Sequence, residues 1–179
     1  MTTEAARSRF AEIVLPYLDD AYTLARWMTG STADAEDVVQ DSCVRALRAL
    51  ETTAVERPRA WVLTIVRNTA LTWMAKNRPA NMTSTEGEEG PLELPELTDP
   101  APSAEQDMIA RADQGAVRTA IAALPQAFRE AIVMREINDL SYQEIAQVSG
   151  VPVGTVMSRL ARARGMLRSA WNAAEGAPS

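Results

Sequence analysis

Apolar side chains recur every three or four residues along most of this chain, the spacing that places them on one face of an α-helix. The pattern is clear in residues 32–50, where Ser31 or Thr32 suits the N-cap and Asp34 gives the first turn the charge that the helix dipole favours. The inward stripe of this helix is expected at Ala35, Val38 or Val39, Ser42, Ala46 and Leu50. No stretch of the sequence alternates as a strand would, so the pattern predicts an all-α protein.

Three more helical segments are predicted before residue 78. The first covers roughly Arg7–Leu15. The second is started or kinked by Pro16 and ends at Gly30. The third runs from Pro58 to about Lys76. Together with the 32–50 helix they predict a helical N-terminal domain of residues 1–78.

Residues 140–167 carry the signals of two helices joined by a tight turn. Ser141 and Glu144 have the spacing of a capping box, so a helix should open at about Ser141. Gly150 ends it, because only glycine takes a left-handed backbone without steric cost. Pro152 can then start the next helix. Ala146, Gly150 and Val156 have the spacing of a helix-turn-helix.

The second helix of this pair separates an apolar face from a basic one. Its apolar face is Val156, Leu160, Ala163, Leu167 and Ala170. At about 100° per residue, Thr155, Ser158, Arg159 and Arg162 fall away from that face. Arginine binds guanine bidentately in the major groove, and Thr or Ser reaches bases or phosphates. The pattern favours a DNA-reading helix; a plain helical hairpin with a solvated basic face is the alternative.

Charge divides the chain into three parts. The net charge is −6, but residues 79–107 hold eight carboxylates and no base, which leaves 18 basic against 16 acidic residues elsewhere. Five prolines and two glycines lie in the same stretch. Such a composition predicts a flexible acidic linker over 79–104, followed by a C-terminal helix-turn-helix domain over 105–172 and a tail over 173–179.

Composition excludes several kinds of chemistry. The chain has no histidine and a single cysteine, Cys43, which rules out an internal disulfide and a Cys/His zinc site. No metal, cofactor or catalytic residue is predicted. Neither a signal peptide nor an apolar run of membrane-spanning length is recognisable, so we expect no membrane insertion and a cytoplasmic location.

Three stretches together resemble the extracytoplasmic-function group of bacterial RNA polymerase sigma factors. They are DAEDVVQDSCVRALRAL, PRAWVLTIVRNTALTWM and LPQAFREAIVMREINDLSYQEIAQVSGVPVGTVMSRLARARGMLR, from residues 34, 58 and 124 onward. The resemblance implies that the N-terminal domain docks on core RNA polymerase and reads the promoter −10 element. It implies that the C-terminal domain reads the −35 element and that an anti-sigma factor controls the protein.

The resemblance also assigns roles to residues. The expected polymerase-binding residues are Asp37, Gln40 and Asp41. The expected −10 contacts are Arg67, Asn68 and Lys76, with Arg57, Arg59 and Arg78 as further phosphate contacts, while Trp61 and Trp73 are expected in the core. The expected −35 contacts are Thr155, Met157, Ser158, Arg159 and Arg162. Met157 stands where relatives often carry a basic residue, which favours apolar contact with a thymine methyl group.

Two other classes of protein remain open from the sequence. An ordinary helix-turn-helix regulator would bind a duplex promoter without the polymerase. A helical carboxylate enzyme would use Asp34, Glu36, Asp37 and Asp41 to hold a metal, but bundle sites of that kind normally include histidine. The acidic linker is either an inert tether or a mimic of nucleic acid that occupies a basic channel.

Overall fold

The computed structural model describes residues 3–77 and 114–176, and within these ranges every regular element is helical. The linker predicted over 79–104 and the start of the predicted C-terminal domain lie outside the described residues. The elements are α1 (Glu4–Ile13), a 3-10 turn (Leu15–Tyr17), α2 (Leu18–Thr29), α3 (Thr32–Ala49), α4 (Pro58–Asn77), α5 (Gln114–Ala123), α6 (Gln126–Ile132), a π-helical turn (Val133–Ile137), α7 (Tyr142–Ser149) and α8 (Val153–Glu175).

The N-terminal unit is a bundle in which α2, α3 and α4 pack on one another. The start of α3 is fixed by Ser31, whose Oγ accepts a hydrogen bond from the backbone N–H of Asp34. Gly30 ends α2 with φ of 75°, a left-handed conformation that favours glycine. The predicted inward stripe of α3 is confirmed: Ala35, Val38, Ser42, Ala46 and Leu50 are buried.

The C-terminal unit is a helix-turn-helix in which α6 and α7 both pack on α8. Val156, Leu160 and Ala163 of α8 are buried, as their spacing predicts. Beyond them the apolar face leaves the core, since Ala170 is exposed. The helix itself continues to Glu175, three residues past the predicted end of the domain at 172.

One turn between α6 and α7 departs from α-helical geometry. The backbone N–H of Asn138 donates to the carbonyl of Val133 at 3.0 Å, five residues back, which defines a π turn. Asp139 follows with φ of 56°, a left-handed conformation that Asn and Asp tolerate better than other non-glycine residues. Arg135 joins this turn to α7 by donating to the carbonyl of Leu140 at 2.8 Å and lying over the ring of Tyr142.

The two helical units pack against each other. Helix α4 lies against α7, and α2 lies against α6 and the π turn. Buried residues of both units form one continuous apolar cluster. The face of α4 that touches the C-terminal unit is therefore inside the molecule, which bears directly on the residues expected to contact DNA.

Candidate nucleic-acid and polymerase-binding surfaces

The helix-turn-helix is held by local hydrogen bonds. Ser141 and Glu144 form a reciprocal capping box: the Oγ of Ser141 accepts from the backbone N–H of Glu144 at 3.1 Å, and the carboxylate of Glu144 accepts from the backbone N–H of Ser141 at 2.7 Å. Gly150 closes α7 with φ of 68°. These features confirm the predicted turn, and they fix where α8 leaves it.

Four of the five residues expected at the −35 element share one side of α8. Thr155, Ser158, Arg159 and Arg162 are partly exposed. At about 100° per residue they span an arc of about 100°, centred about 120° around the axis from the buried face. The hydroxyl of Ser158 donates to the carbonyl of Gly154 at 3.0 Å, which leaves its oxygen able to accept a second hydrogen bond.

Met157 does not join these four residues. Its side chain is 53% exposed, but the helix geometry puts it about 160° around the axis from Thr155. Arg164 lies on the same flank as Met157 and pairs with Glu136 at 2.9 Å. Burial disfavours its charged form, but Arg164 donates hydrogen bonds to Glu136 and Tyr142, and these bonds together with the charges of the two acceptors raise the pKa of Arg164 above its ordinary value. This flank of α8 is thus tied to the rest of its own domain.

The three residues expected at the −10 element point in different directions from α4. Arg67 faces the C-terminal unit, where its Nη2 lies 2.8 Å from Oε1 of Glu130. Asn68 is exposed on the adjacent face, and Lys76 is exposed about 180° around the axis from Arg67. The structure therefore does not gather them into one patch in this conformation.

Lys76 instead borders an open groove between α3 and α4. The groove is lined by Asp37, Val38, Asp41 and Arg45 of α3 and by Thr69, Thr72, Trp73 and Lys76 of α4. Two of the residues expected to bind polymerase therefore share a groove with one expected to bind DNA. The sequence placed them in separate motifs and did not predict this.

The residues expected to bind polymerase form a compact acidic face on α3. Asp37, Gln40 and Asp41 are all exposed and span an arc of about 100°. Asp41 also forms an ion pair with Arg45 at 2.9 Å, in which both side chains are about half exposed. An exposed acidic face of this kind suits a basic partner, because complementary charge steers docking.

Three polar residues at the contact between the two units were missed by the sequence reasoning. Glu130 and Asn138 are each only 2% exposed, and Asp20 is partly buried beside Asn138. A signal existed for Glu130: it is a carboxylate in the stretch AFREAIVM, four residues before Met134, and so lies on an apolar face. Helical periodicity indicates that Glu130 lies on a buried face, but it does not identify Arg67 as the residue that Glu130 contacts.

The tryptophans of α4 are partly buried against the core, as expected of Trp61 and Trp73. Cys43 is also partly buried, and burial raises the pKa of its thiol. Among residues 3–77 and 114–176, no group of three His, Cys, Asp or Glu side chains is arranged to hold a metal ion. Within the same ranges, no helix has the length and apolarity needed to cross a bilayer.

Known proteins match both helical units, in the same order along the chain. The family described as Sigma-70 region 2 matches residues 13–79, and the family described as Sigma-70, region 4 matches residues 114–167. The chain is 30% identical to the ECF RNA polymerase sigma factor SigW of Bacillus subtilis over 89% of this chain and 87% of that protein. It is 31% identical to SigE of Mycolicibacterium smegmatis over 92% of this chain and 62% of that one.

Solved structures with the same fold cover nearly the whole chain. The structure of CnrH in complex with the cytosolic domain of CnrY matches with a TM-score of 0.65 and 26% identity over 93% of this chain and 90% of CnrH. The sigma factor RpoE in complex with the anti-sigma factor NepR from Bartonella quintana matches with a TM-score of 0.65 over 92% of this chain and 97% of RpoE; at 24% identity it supports the fold alone. With two helical units, a helix-turn-helix and these relatives, the chain belongs to the extracytoplasmic-function group of RNA polymerase sigma factors.

Proposed function

We propose that this sigma factor docks on core RNA polymerase through the acidic face of α3, with Asp37, Gln40 and Asp41 as its central contacts. The observation that supports this most directly is their shared exposure on one arc of a single rigid helix. The pair between Asp41 and Arg45 is exposed at the surface, so a basic partner can compete for the carboxylate at little cost.

Promoter reading is divided between the two units. Thr155, Ser158, Arg159 and Arg162 of α8 read the −35 element in the major groove, and Met157 makes at most an edge contact because of its position on the far flank. On α4, Asn68 offers an amide that both donates and accepts, which suits the exposed edges of single-stranded bases. Lys76 and Arg67 contribute charge for phosphates.

The chain acts by placement and not by catalysis. Opening the duplex near the −10 element costs a few kcal/mol per captured base, which contacts to the single strand must offset. Bond formation belongs to the polymerase, no cofactor is required, and the protein works in the cytoplasm where that enzyme is.

An anti-sigma factor controls this activity. CnrH, which shares the fold, was solved with the cytosolic domain of CnrY bound to it. Large apolar side chains remain exposed on both units here, including Leu15, Val44 and Ile137. Exposed apolar residues beside polar ones suit a protein partner that contacts both units.

The deciding experiment is transcription in vitro with purified core polymerase on a library of genomic fragments, with the start sites sequenced. Specific start sites that require the protein support the proposal and reveal both promoter elements. Asp41→Arg should weaken binding to core polymerase at least about tenfold, because it brings like charges together at the interface. Glu12→Arg makes the same charge reversal on exposed α1 and should bind as the parent does. Equal binding by both variants would argue against α3 as the docking face.

A further inference from the structure

Polar side chains from three elements of the C-terminal unit meet at Tyr142, the first residue of α7. Arg164 of α8 donates through Nη2 to Oε1 of Glu136 in the π turn at 2.9 Å, and it also donates a hydrogen bond to Tyr142. Arg135, also in the π turn, lies over the Tyr142 ring, with its guanidinium carbon 4.8 Å from the ring centroid. The same guanidinium donates to the backbone carbonyl of Leu140 at 2.8 Å. We call Arg135, Glu136, Tyr142 and Arg164 the tyrosine cluster.

The apolar packing of α8 involves only part of the helix. Val156, Leu160 and Ala163 are its buried residues, although α8 is 23 residues long. Its N-cap, Pro152, makes no side-chain cap hydrogen bond. Apolar contact is non-directional, so these three side chains hold α8 against its unit but specify its rotation about its own axis less strictly than hydrogen bonds do.

The tyrosine cluster fastens α8 where its buried face ends. Arg164 directly follows Ala163, and no later residue of α8 is buried. The acceptors of Arg164 lie in the π turn and at the start of α7, so the bonds tie α8 to the elements that precede it in the chain. At about 100° per residue, Arg164 lies about 170° around the axis from the centre of the exposed arc of Thr155, Ser158, Arg159 and Arg162. The tie is therefore on the side of α8 away from that arc.

A small rotation of α8 is enough to disturb contacts made by the arc. Side-chain ends lie about 5–6 Å from the axis of an α-helix, so a rotation of about 15° moves the ends of Arg159 and Arg162 by roughly 1.5 Å. A bidentate contact from arginine to guanine depends on two hydrogen bonds of about 2.9 Å, and binding groups must be held within about 0.5 Å of the productive geometry. Loss of the tie can thus impair recognition while the helix stays folded.

We propose that Glu136, Tyr142 and Arg164 set the rotation of α8 and so position its arc for reading the −35 element, with Arg135 holding the Tyr142 ring. Arg164 is a positioning residue and does not touch the DNA that the arc reads. The side chains of Arg164 and Glu136 are 31% and 55% exposed, so their pair contributes little to stability and acts on orientation. The inference rests on the proposed function for the role of the arc, whereas the orientation of α8 can be measured without DNA or polymerase.

The orientation of α8 is measured in the full chain as the distance between two spin labels. They are attached at Gln147→Cys in α7 and Ser169→Cys in α8, both exposed positions, in a Cys43→Ala background. The parent should give a narrow distance distribution, and Glu136→Ala and Arg164→Ala should each broaden or shift it. The combined variant should have no larger effect than either single one, because all three remove the same contact.

Two conservative variants test the hydrogen bonds themselves. Glu136→Gln keeps an acceptor for Arg164, so its distance distribution should stay close to that of the parent. Tyr142→Phe keeps the ring under Arg135 but removes one acceptor of Arg164, so its effect should be intermediate.

The matched control is Arg168→Ala. Arg168 is exposed one turn further along α8 and is not part of the tyrosine cluster. This variant should leave the distance distribution unchanged. Circular dichroism and denaturant titration verify that each variant is folded with a stability near that of the parent.

Transcription from templates with an intact or a scrambled −35 element separates orientation from a general loss of function. Glu136→Ala and Arg164→Ala should lower the ratio of initiation on the two templates by at least about fivefold, with unchanged binding to core polymerase. Direct contact of Arg164 with a phosphate predicts the opposite result for Glu136→Ala, because the arginine would be released and initiation would rise.

An unchanged distance distribution in folded Glu136→Ala and Arg164→Ala would overturn the proposal, as would an equal change in Arg168→Ala. A rise in initiation with Glu136→Ala, or a loss that is equal on both templates, would overturn it too. A changed distance distribution combined with no start-site selection by the parent protein would retain the tie on α8 and count instead against the proposed function.

Discussion

The two basic surfaces of this sigma factor are built in opposite ways. On α8, four polar residues line one arc of a helix that follows the capped helix α7 and its closing Gly150, and another face of α8 is buried in its own unit. On α4, Arg59 and Arg67 are held by acceptors far along the chain, 63 residues away in the case of Glu130. The surface on α8 is made by residues that are close together in the sequence, whereas Arg67 on α4 is covered by α6, a helix distant in the sequence. The basic arc of α8 therefore depends on nearby sequence, whereas Arg59 and Arg67 of α4 are engaged by packing between the two units.

The largest effect is expected from the double variant Arg159→Ala, Arg162→Ala. Each arginine should contribute about 1–3 kcal/mol to initiation that depends on the −35 element. The measurement is transcription from matched templates with an intact or a scrambled −35 element, and only the first should lose activity. Arg168→Ala is the control, because Arg168 is exposed about 180° around α8 from Arg159. A similar loss on both templates would mean that α8 holds phosphates without reading sequence.

A smaller effect is expected from Ser141→Ala, which removes the N-cap of α7. The loss should be about 0.5–2 kcal/mol in the free energy of unfolding, measured by denaturant titration. Ser31→Ala in the N-terminal unit is the matched cap variant and should cost less, because its cap bond is long, at 3.4 Å, and has no reciprocal partner. Ser141→Ala should weaken −35 reading without changing polymerase binding. The reverse ranking of the two caps would show that α8 is not positioned by the local turn.

A smaller change still is expected from Arg45→Gln. Its pair with Asp41 is about half exposed on both sides, so the free energy of unfolding should fall by no more than about 0.3–0.5 kcal/mol. Arg67→Gln, in contrast, should lower the free energy of unfolding by a larger amount, because it leaves Glu130 buried without its partner. Thermal unfolding of the two variants compares an exposed pair with a buried one directly. Equal effects would contradict the distinction drawn between the two surfaces.

The smallest effect concerns Cys43, inside the N-terminal bundle. Burial raises the pKa of its thiol, so alkylation by iodoacetamide near pH 8 should be slower than that of a free cysteine and should accelerate as the pH rises. Because the folded state favours the neutral thiol, its contribution to stability is complete below the unfolded pKa and is lost as the pH rises through the folded pKa. Glu130→Arg should leave this rate unchanged, since Cys43 lies among α2, α3 and α4. A faster rate in this variant would indicate that loss of the contact between the two units also loosens the N-terminal bundle.

Features set by near neighbours were predictable from the sequence. The cap at Ser141, the left-handed Gly150 and the inward stripe of α3 all follow from spacing and turn chemistry, and the structure confirms them. The ends of α1 were less predictable, because the helix runs over Glu4–Ile13 and a separate 3-10 turn follows it. Pro16 explains why the helix is interrupted, but it does not predict that α1 ends at Ile13 and that the 3-10 turn begins at Leu15.

The pairing of Arg67 with Glu130 could not be predicted, because helical periodicity tells which face is buried and not what it meets. The groove shared by α3 and α4 was missed for the same reason: Asp41 and Lys76 belong to separate motifs and come together only through packing. The residue roles in polymerase and promoter binding, Met157 among them, remain predictions, and the experiments above address them.

The five-residue turn at Val133–Ile137 makes the joint between the two units sensitive to a single codon. Removing one residue there would restore regular helix geometry and turn Asn138 away from α2 by about 100°, while the capping box of α7 would stay in place. A deletion of three nucleotides would thus change how the two units pack without changing any side chain of α3 or α8.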